Sequence, residues 1–233
     1  MTSDPASVPL IARRNGPLAG RVRVPGDKSI SIRALILGAL TVGETKVSGL
    51  LEGEDVLNTV KALQALGARI DRTGEQAWSI HGTGVGGFAE PKAALDFGNS
   101  GTGCRLTLGA VAGCPITATF DGDASLRSRP MRRILDPLER IGAHTVVSAN
   151  GRLPLTLKGA RDPMPIVFEP PVPSAQLKSA TLLAGREPQL TGVQVHQHRG
   201  DGRALLARVS GRVGVGADAV RVVGVIGQQD AEV

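Results

Sequence analysis

The sequence predicts an α/β fold built from a repeated unit of about seventy residues, helix–strand–helix–hairpin, and three observations predict it. Arg33, Arg105 and Lys178 recur at intervals of 72 and 73 residues. Each sits early in an apolar stretch of helical character (30–40, 104–112 and 177–184), preceded by the Ser, Asn or Gly that suits a helix start. A second helical stretch and a hairpin signal then follow in the first two units, so the chain carries about two and a half such units.

Taken in order, the first unit places its second helix over 55–66, stopped by Gly67, and its hairpin over 70–80 around Gly74. The second unit repeats this, with a helix from Arg129-Pro130 to 141 stopped by Gly142. Pro130 suits a first helical turn, where its missing N–H costs nothing. Its hairpin spans 146–157 around Asn150-Gly151, a dipeptide that tolerates the positive φ of a tight turn. Gly43, Gly113 and Gly185 stand where C-caps of the three leading helices are expected. The boundaries expected are an N-terminal strand or linker over 1–20, a substrate-binding repeat domain over 21–185, and a separate tail over 186–233.

With 233 residues and 41% apolar content the chain can bury a substantial core. Aromatic residues make up 2% and Tyr is absent, which argues against a surface that stacks bases. The net charge of +6 and pI near 10.0 still suit anions, and the cations gather at helix starts. That placement fits small anionic substrates better than a polymer, so no nucleic-acid partner is expected. Cys104 and Cys114 lack metal-ligand spacing and read as small buried apolar residues. His81 and His144 fall in or beside the hairpins as incidental surface groups. Arg127, Arg132 and Arg133 read as exposed charges on a helix face. Without a long apolar run, no membrane partner is expected, and the expected location is cytoplasmic and reducing.

The segment Pro25-Gly26-Asp27-Lys28-Ser29-Ile30-Ser31-Ile32-Arg33 puts two cations and two hydroxyls at a helix start, where free N–H groups and the helix dipole already favour an anion. Lys28 adds a point charge and Arg33 a bidentate fork. Asn99-Ser100-Gly101-Thr102-Gly103-Cys104-Arg105 and Pro173-Ser174-Ala175-Gln176-Leu177-Lys178 repeat the theme at the starts of the other two leading helices.

Together with Asp121-Gly122-Asp123-x-Ser125-Leu126-x-x-Arg129-Pro130-Met131, these segments resemble the 5-enolpyruvylshikimate-3-phosphate (EPSP) synthase family from about Pro17 to Gly185. Four motifs in order at repeat spacing are far more specific than one glycine pattern. The resemblance implies an inside-out α/β repeat domain of the enolpyruvyl transferase type, and transfer of the enolpyruvyl group of phosphoenolpyruvate to the 5-hydroxyl of shikimate 3-phosphate with release of phosphate. It implies no metal or organic cofactor, and it implies that the inhibitor glyphosate shares the phosphoenolpyruvate pocket.

Residue by residue, the resemblance makes Lys28 a catalytic residue that contacts both substrates. Ser29, Arg33, Ser174, Ala175 and Gln176 match contacts to shikimate 3-phosphate. Asn99, Gly101, Arg129 and Gln176 match the phosphoenolpyruvate pocket, and Gly101 lets backbone approach the ligand. Ser174 also reads as a plain N-cap. Enolpyruvyl transferases acting on a UDP-sugar share the architecture, but Asp27-Lys28-Ser29, Arg33 and Ser174-Ala175-Gln176 favour the phosphorylated shikimate. A non-catalytic anion-binding fragment is the other alternative.

The family pattern also implies a completed third unit and a second domain that brings acid–base carboxylates and a lysine. Neither is expected in this chain, whose 186–233 lack any Lys or Phe. Codons permitted for 203–209, read one base later, can encode a family-like helix, so a frame-shifted or disordered tail is the expectation. A monomer, or a partner of the second domain, follows from the same reading.

Overall fold

The computed structural model describes residues 24–148, 150–171 and 173–185, positions 11, 13, 20 and 21, and the backbone of two short strands at 194–195 and 207–208. Helix α1 (Lys28–Ala39) starts two residues before the apolar stretch because Asp27 caps it, its carboxylate accepting from Ile30 N at 2.7 Å. Strand β1 (Val42–Ser48), helix α2 (Glu54–Ala65) and the hairpin β2 (Arg69–Gly74) and β3 (Ala77–Thr83) complete the first unit. Gly67, at φ 100°, lets the chain leave α2 in a conformation other residues resist. The sheet order is β1-β3-β2, antiparallel throughout.

The second unit opens with the short strand β4 (Leu95–Asp96) and helix α3 (Gly101–Ala112), capped by Ser100. It continues through β5 (Thr117–Asp121), α4 (Ala124–Ser128), α5 (Arg132–Ile141), β6 (His144–Ser148) and β7 (Leu155–Lys158). The order β5-β7-β6 reproduces β1-β3-β2, with β4 added in parallel beside β5. Asn150 and Gly151 take φ of 54° and 71° in the loop between β6 and β7. The third unit begins with β8 (Val167–Phe168) and α6 (Ala175–Ala184), followed by β9 (Gln194–Val195) and β10 (Ala207–Arg208). β9 lies parallel to β8, as β5 does to β4, so the β–α–β start of the second unit recurs.

The expected unit is therefore observed, with three corrections. Pro130 does not open a helix: the residue before a proline is pushed to extended backbone, Arg129 takes φ −83° and ψ 135°, and the chain breaks between α4 and α5, which starts at Arg132 after Met131. Gly43 is no C-cap, because α1 ends at Ala39 with Leu40 as its C-cap and Gly43 already lies in β1. A strand follows α6, where the third unit was expected to break off. The expected alternation over 213–226 and the frame-shifted tail lie outside the described residues, as does most of 1–20.

The helices pack on one another and the sheets lie outside them, which is the inside-out arrangement. α3 is buried at every position but Thr102, as expected of a helix apolar all round. It runs parallel to α6 at close range: a Cβ on Gly109 would stand 2.2 Å from Ala180 O, and one on Gly113 2.7 Å from Ala184 O. Two glycines one helical turn apart let the backbones meet, and that contact sets where the α6 N-terminus lies. Among the described residues no helix is long and apolar enough to cross a membrane.

Candidate active site at the helix N-termini

Side chains on the first two turns of α1, α3 and α6 reach one another, which places the three N-termini at the same end of the molecule. Arg33 donates from Nη2 to Ser179 Oγ on α6 at 2.9 Å and from Nη1 to its own helix at Ser29 O, 3.0 Å. Gln176 on α6 donates from Nε2 to Thr102 Oγ1 on α3 at 3.0 Å, and its Oε1 accepts from Arg105 Nη1 at 3.1 Å. Three helix dipoles thus point their positive ends toward one region, a costly arrangement unless an anion is to be held there.

Lys28, at the first position of α1, is half exposed and pairs with Asp55 on the first turn of α2, Nζ to Oδ2 at 2.8 Å. Arg129 donates to Asn99 Oδ1 and, at 3.0 Å, to Ser125 Oγ. Asn99 in turn donates to Asp123 Oδ2 at 2.9 Å, while Asp123 Oδ1 caps α4 by accepting from Leu126 N. A Cβ on Gly101 would stand 3.0 Å from Nη1 of both Arg105 and Arg129, so two guanidinium groups converge over this glycine. Ser174 is the N-cap of α6, accepting from Leu177 N at 3.3 Å, and Ala175 is exposed beside it. The cap and the ligand contact are compatible, since the hydroxyl keeps its proton to donate.

Arg33, Arg105 and Arg129 have no carboxylate within ion-pair distance among the described residues. Burial, and the like charge of Arg133 after it, pull the Arg105 guanidinium down from its ordinary value. Arg127, read as an exposed helix charge, is held by Asp121 through two bonds of 2.8 and 2.6 Å. Arg132 pairs with Asp136. Cys104 is fully buried and its thiol is pushed up to about 12 by burial, and Cys114 is buried too, so neither is a nucleophile.

Sequence reasoning assigned no role to Arg105, Thr102, Asp55 or Ser179, although they complete the network. Arg105 carried a signal, its place in the repeat. Ser179 carried one as well, closing the motif that runs from Pro173, although its partner is 146 residues away, whereas Asp55 carried none, its partner being 27 residues away.

A helix-centred α/β repeat with Arg33, Arg105 and Arg129 meeting neutral oxygens near its helix starts is the architecture expected of the enolpyruvyl transferase type of fold. A family model described as EPSP synthase (3-phosphoshikimate 1-carboxyvinyltransferase) matches residues 12–230, and the chain belongs to that family. It is 75% identical over 178 residues to the 3-phosphoshikimate 1-carboxyvinyltransferase of Bradyrhizobium diazoefficiens, covering 76% of this chain and 38% of that relative. It is 70% identical over 186 residues to the Rhodopseudomonas palustris (strain BisA53) protein of the same name, covering 79% and 42%. The structure of EPSP synthase from Acinetobacter baumannii superposes with a TM-score of 0.71 at 39% identity, over 77% of this chain and 40% of that one. The chain spans about two fifths of the length of the curated relatives it matches.

Proposed function

We propose that this chain supplies the shikimate 3-phosphate half-site and one wall of the phosphoenolpyruvate pocket for enolpyruvyl transfer, in the cytoplasm. The observation that carries the reading is the set of arginines at the helix ends that meet only neutral oxygens. An Arg fork held by hydroxyls and carbonyls is oriented without being neutralised, so it keeps its charge for an incoming anion. Arg33, with Ser29 at the start of the same helix and Ser174 at the start of α6, takes the 3-phosphate. Arg129, Asn99, Gly101 and Gln176 take phosphoenolpyruvate, and Lys28, whose ammonium carries three N–H donors, reaches both substrates while keeping Asp55. Holding two anions side by side is the main task of such a site, because it converts a repelling encounter into an oriented one.

Proton transfer to the enolpyruvyl carbon and from the attacking hydroxyl requires free acid and base groups. Asp55 is held by Lys28, and Asp123 by Asn99 and the α4 N-terminus, so neither is free to do this. The 233-residue chain is therefore expected to bind shikimate 3-phosphate with no more than trace turnover alone, and to gain turnover when the second domain of a relative is added. Phosphate release from phosphoenolpyruvate, measured with shikimate 3-phosphate, with a UDP-sugar and with neither, tests this. Release with the UDP-sugar alone, or turnover by the chain alone at about 1 to 10³ per second, refutes it.

A further inference from the structure

We infer that Arg105 is a positioning residue that decides which end of the Gln176 carboxamide faces the anion, so that the ligand meets an N–H and not a carbonyl. The inference rests on the proposed reading of the site as one for anions. A carboxamide is nearly the same shape either way round, and its partners decide its orientation. Thr102 offers a hydroxyl that can donate or accept, so it holds either end equally well. Arg105 can only donate. Its bond from Nη1 to Gln176 Oε1 therefore fixes the oxygen against Arg105, and Nε2 spends one N–H on Thr102, a turn nearer the start of α3. The second N–H of Gln176 has no partner among the described residues.

Arg105 is a poor choice as mere packing. It is 6% exposed, its Nε has no hydrogen-bond partner, and its other bond is a long one of 3.5 Å from Nη2 to Pro130 O. Among the described residues, the charged groups that act on it are Arg133 and Arg129, both repelling. Burying an unpaired cation beside like charges is unfavourable, and an apolar side chain of similar volume would pack there more cheaply. What the apolar side chain could not do is discriminate the two ends of Gln176. Arg33 makes the equivalent reach from α1 to Ser179, but a hydroxyl needs no such orientation.

The test uses the ¹⁵N-labelled full chain, with inorganic phosphate and phosphoenolpyruvate as probes, in wild type, Arg105→Met, Arg105→Lys, Gln176→Ala and the Arg105→Met/Gln176→Ala double variant. Loss of a side-chain amide pair in Gln176→Ala assigns that pair. In ligand-free protein the pair is expected to move in Arg105→Met and to return toward the wild-type position in Arg105→Lys. Anion affinity is expected to fall about tenfold in Arg105→Met, and the double variant to bind no more weakly than Arg105→Met alone. An unmoved pair, or losses that add in the double variant, overturns the inference. Should Arg105→Met fail to fold, Arg105→Lys decides, because it keeps the donor: a Gln176 pair displaced there as far as free glutamine overturns the inference. The ligand-free spectra stand apart from the functional reading, which fails instead if wild type shows no shift with either anion.

Discussion

Arginine does two different jobs in two regions of this molecule. On the strand side, Arg72 grips Glu52 through bonds of 2.7 and 2.9 Å and Arg127 grips Asp121 likewise, and each guanidinium is stabilised in its charged form by that carboxylate. At the helix ends, Arg33, Arg105 and Arg129 find only hydroxyls, amides and carbonyls. Closed pairs staple the loop before α2 to β2 and helix α4 to the end of β5. Open forks leave charge to be met from outside, so the positions of the acids, more than of the arginines, mark where a ligand belongs.

The largest effect that would break the comparison is mechanical. Gly109→Ala places a methyl group against Ala180 O and Cα, which are backbone and cannot turn aside. It should cost about 3 kcal/mol by urea unfolding and abolish anion binding, since α6 carries Gln176, Ser174 and Ser179. The next separates the two kinds of arginine. Arg129→Ala should weaken phosphoenolpyruvate binding about a hundredfold by calorimetry with an unchanged melting temperature, whereas Arg127→Ala should lower the melting temperature and leave affinity nearly intact.

A smaller effect is expected at Gly101. A methyl group there meets the flexible ends of Arg105 and Arg129, so the fold should tolerate Gly101→Ala while the forks shift by a few tenths of an ångström. Affinity for glyphosate, the longer ligand, should fall about tenfold and that for phosphoenolpyruvate about threefold in competition titrations. Equal losses would show that the glycine serves the turn alone.

The smallest effect is in acid. The Arg127 guanidinium, foremost, and the Gly122 N–H hold the Asp121 carboxyl below its ordinary value of 3.8. A depressed folded value stabilises above the unfolded one and is lost as pH falls through the folded one. The melting-temperature gap between wild type and Asp121→Asn should therefore persist at pH 5–7 and close below about pH 3.8. A gap that stays constant in acid would contradict the closed-pair account.

Much of this was legible in the sequence, for physical reasons. The repeat shows because each unit must bury the same apolar faces, and the helix starts show because Asp27, Ser100 and Ser174 are capping residues at the right places. The break at Arg129 could have been read from Pro130, which restricts the residue before it. The pairing of Lys28 with Asp55 and the choice between an open and a closed arginine could not. Both depend on which acid a fold brings near, and charge composition along the chain carries no trace of that.

The most direct test of the central claim is calorimetric titration of shikimate 3-phosphate into the full chain and its Arg33→Ala and Arg72→Ala variants. Binding by wild type, its loss by about a hundredfold in Arg33→Ala at an unchanged melting temperature, and its retention in Arg72→Ala are the predicted results. Equal affinity in wild type and Arg33→Ala would contradict the claim that the open forks at the helix ends form the site.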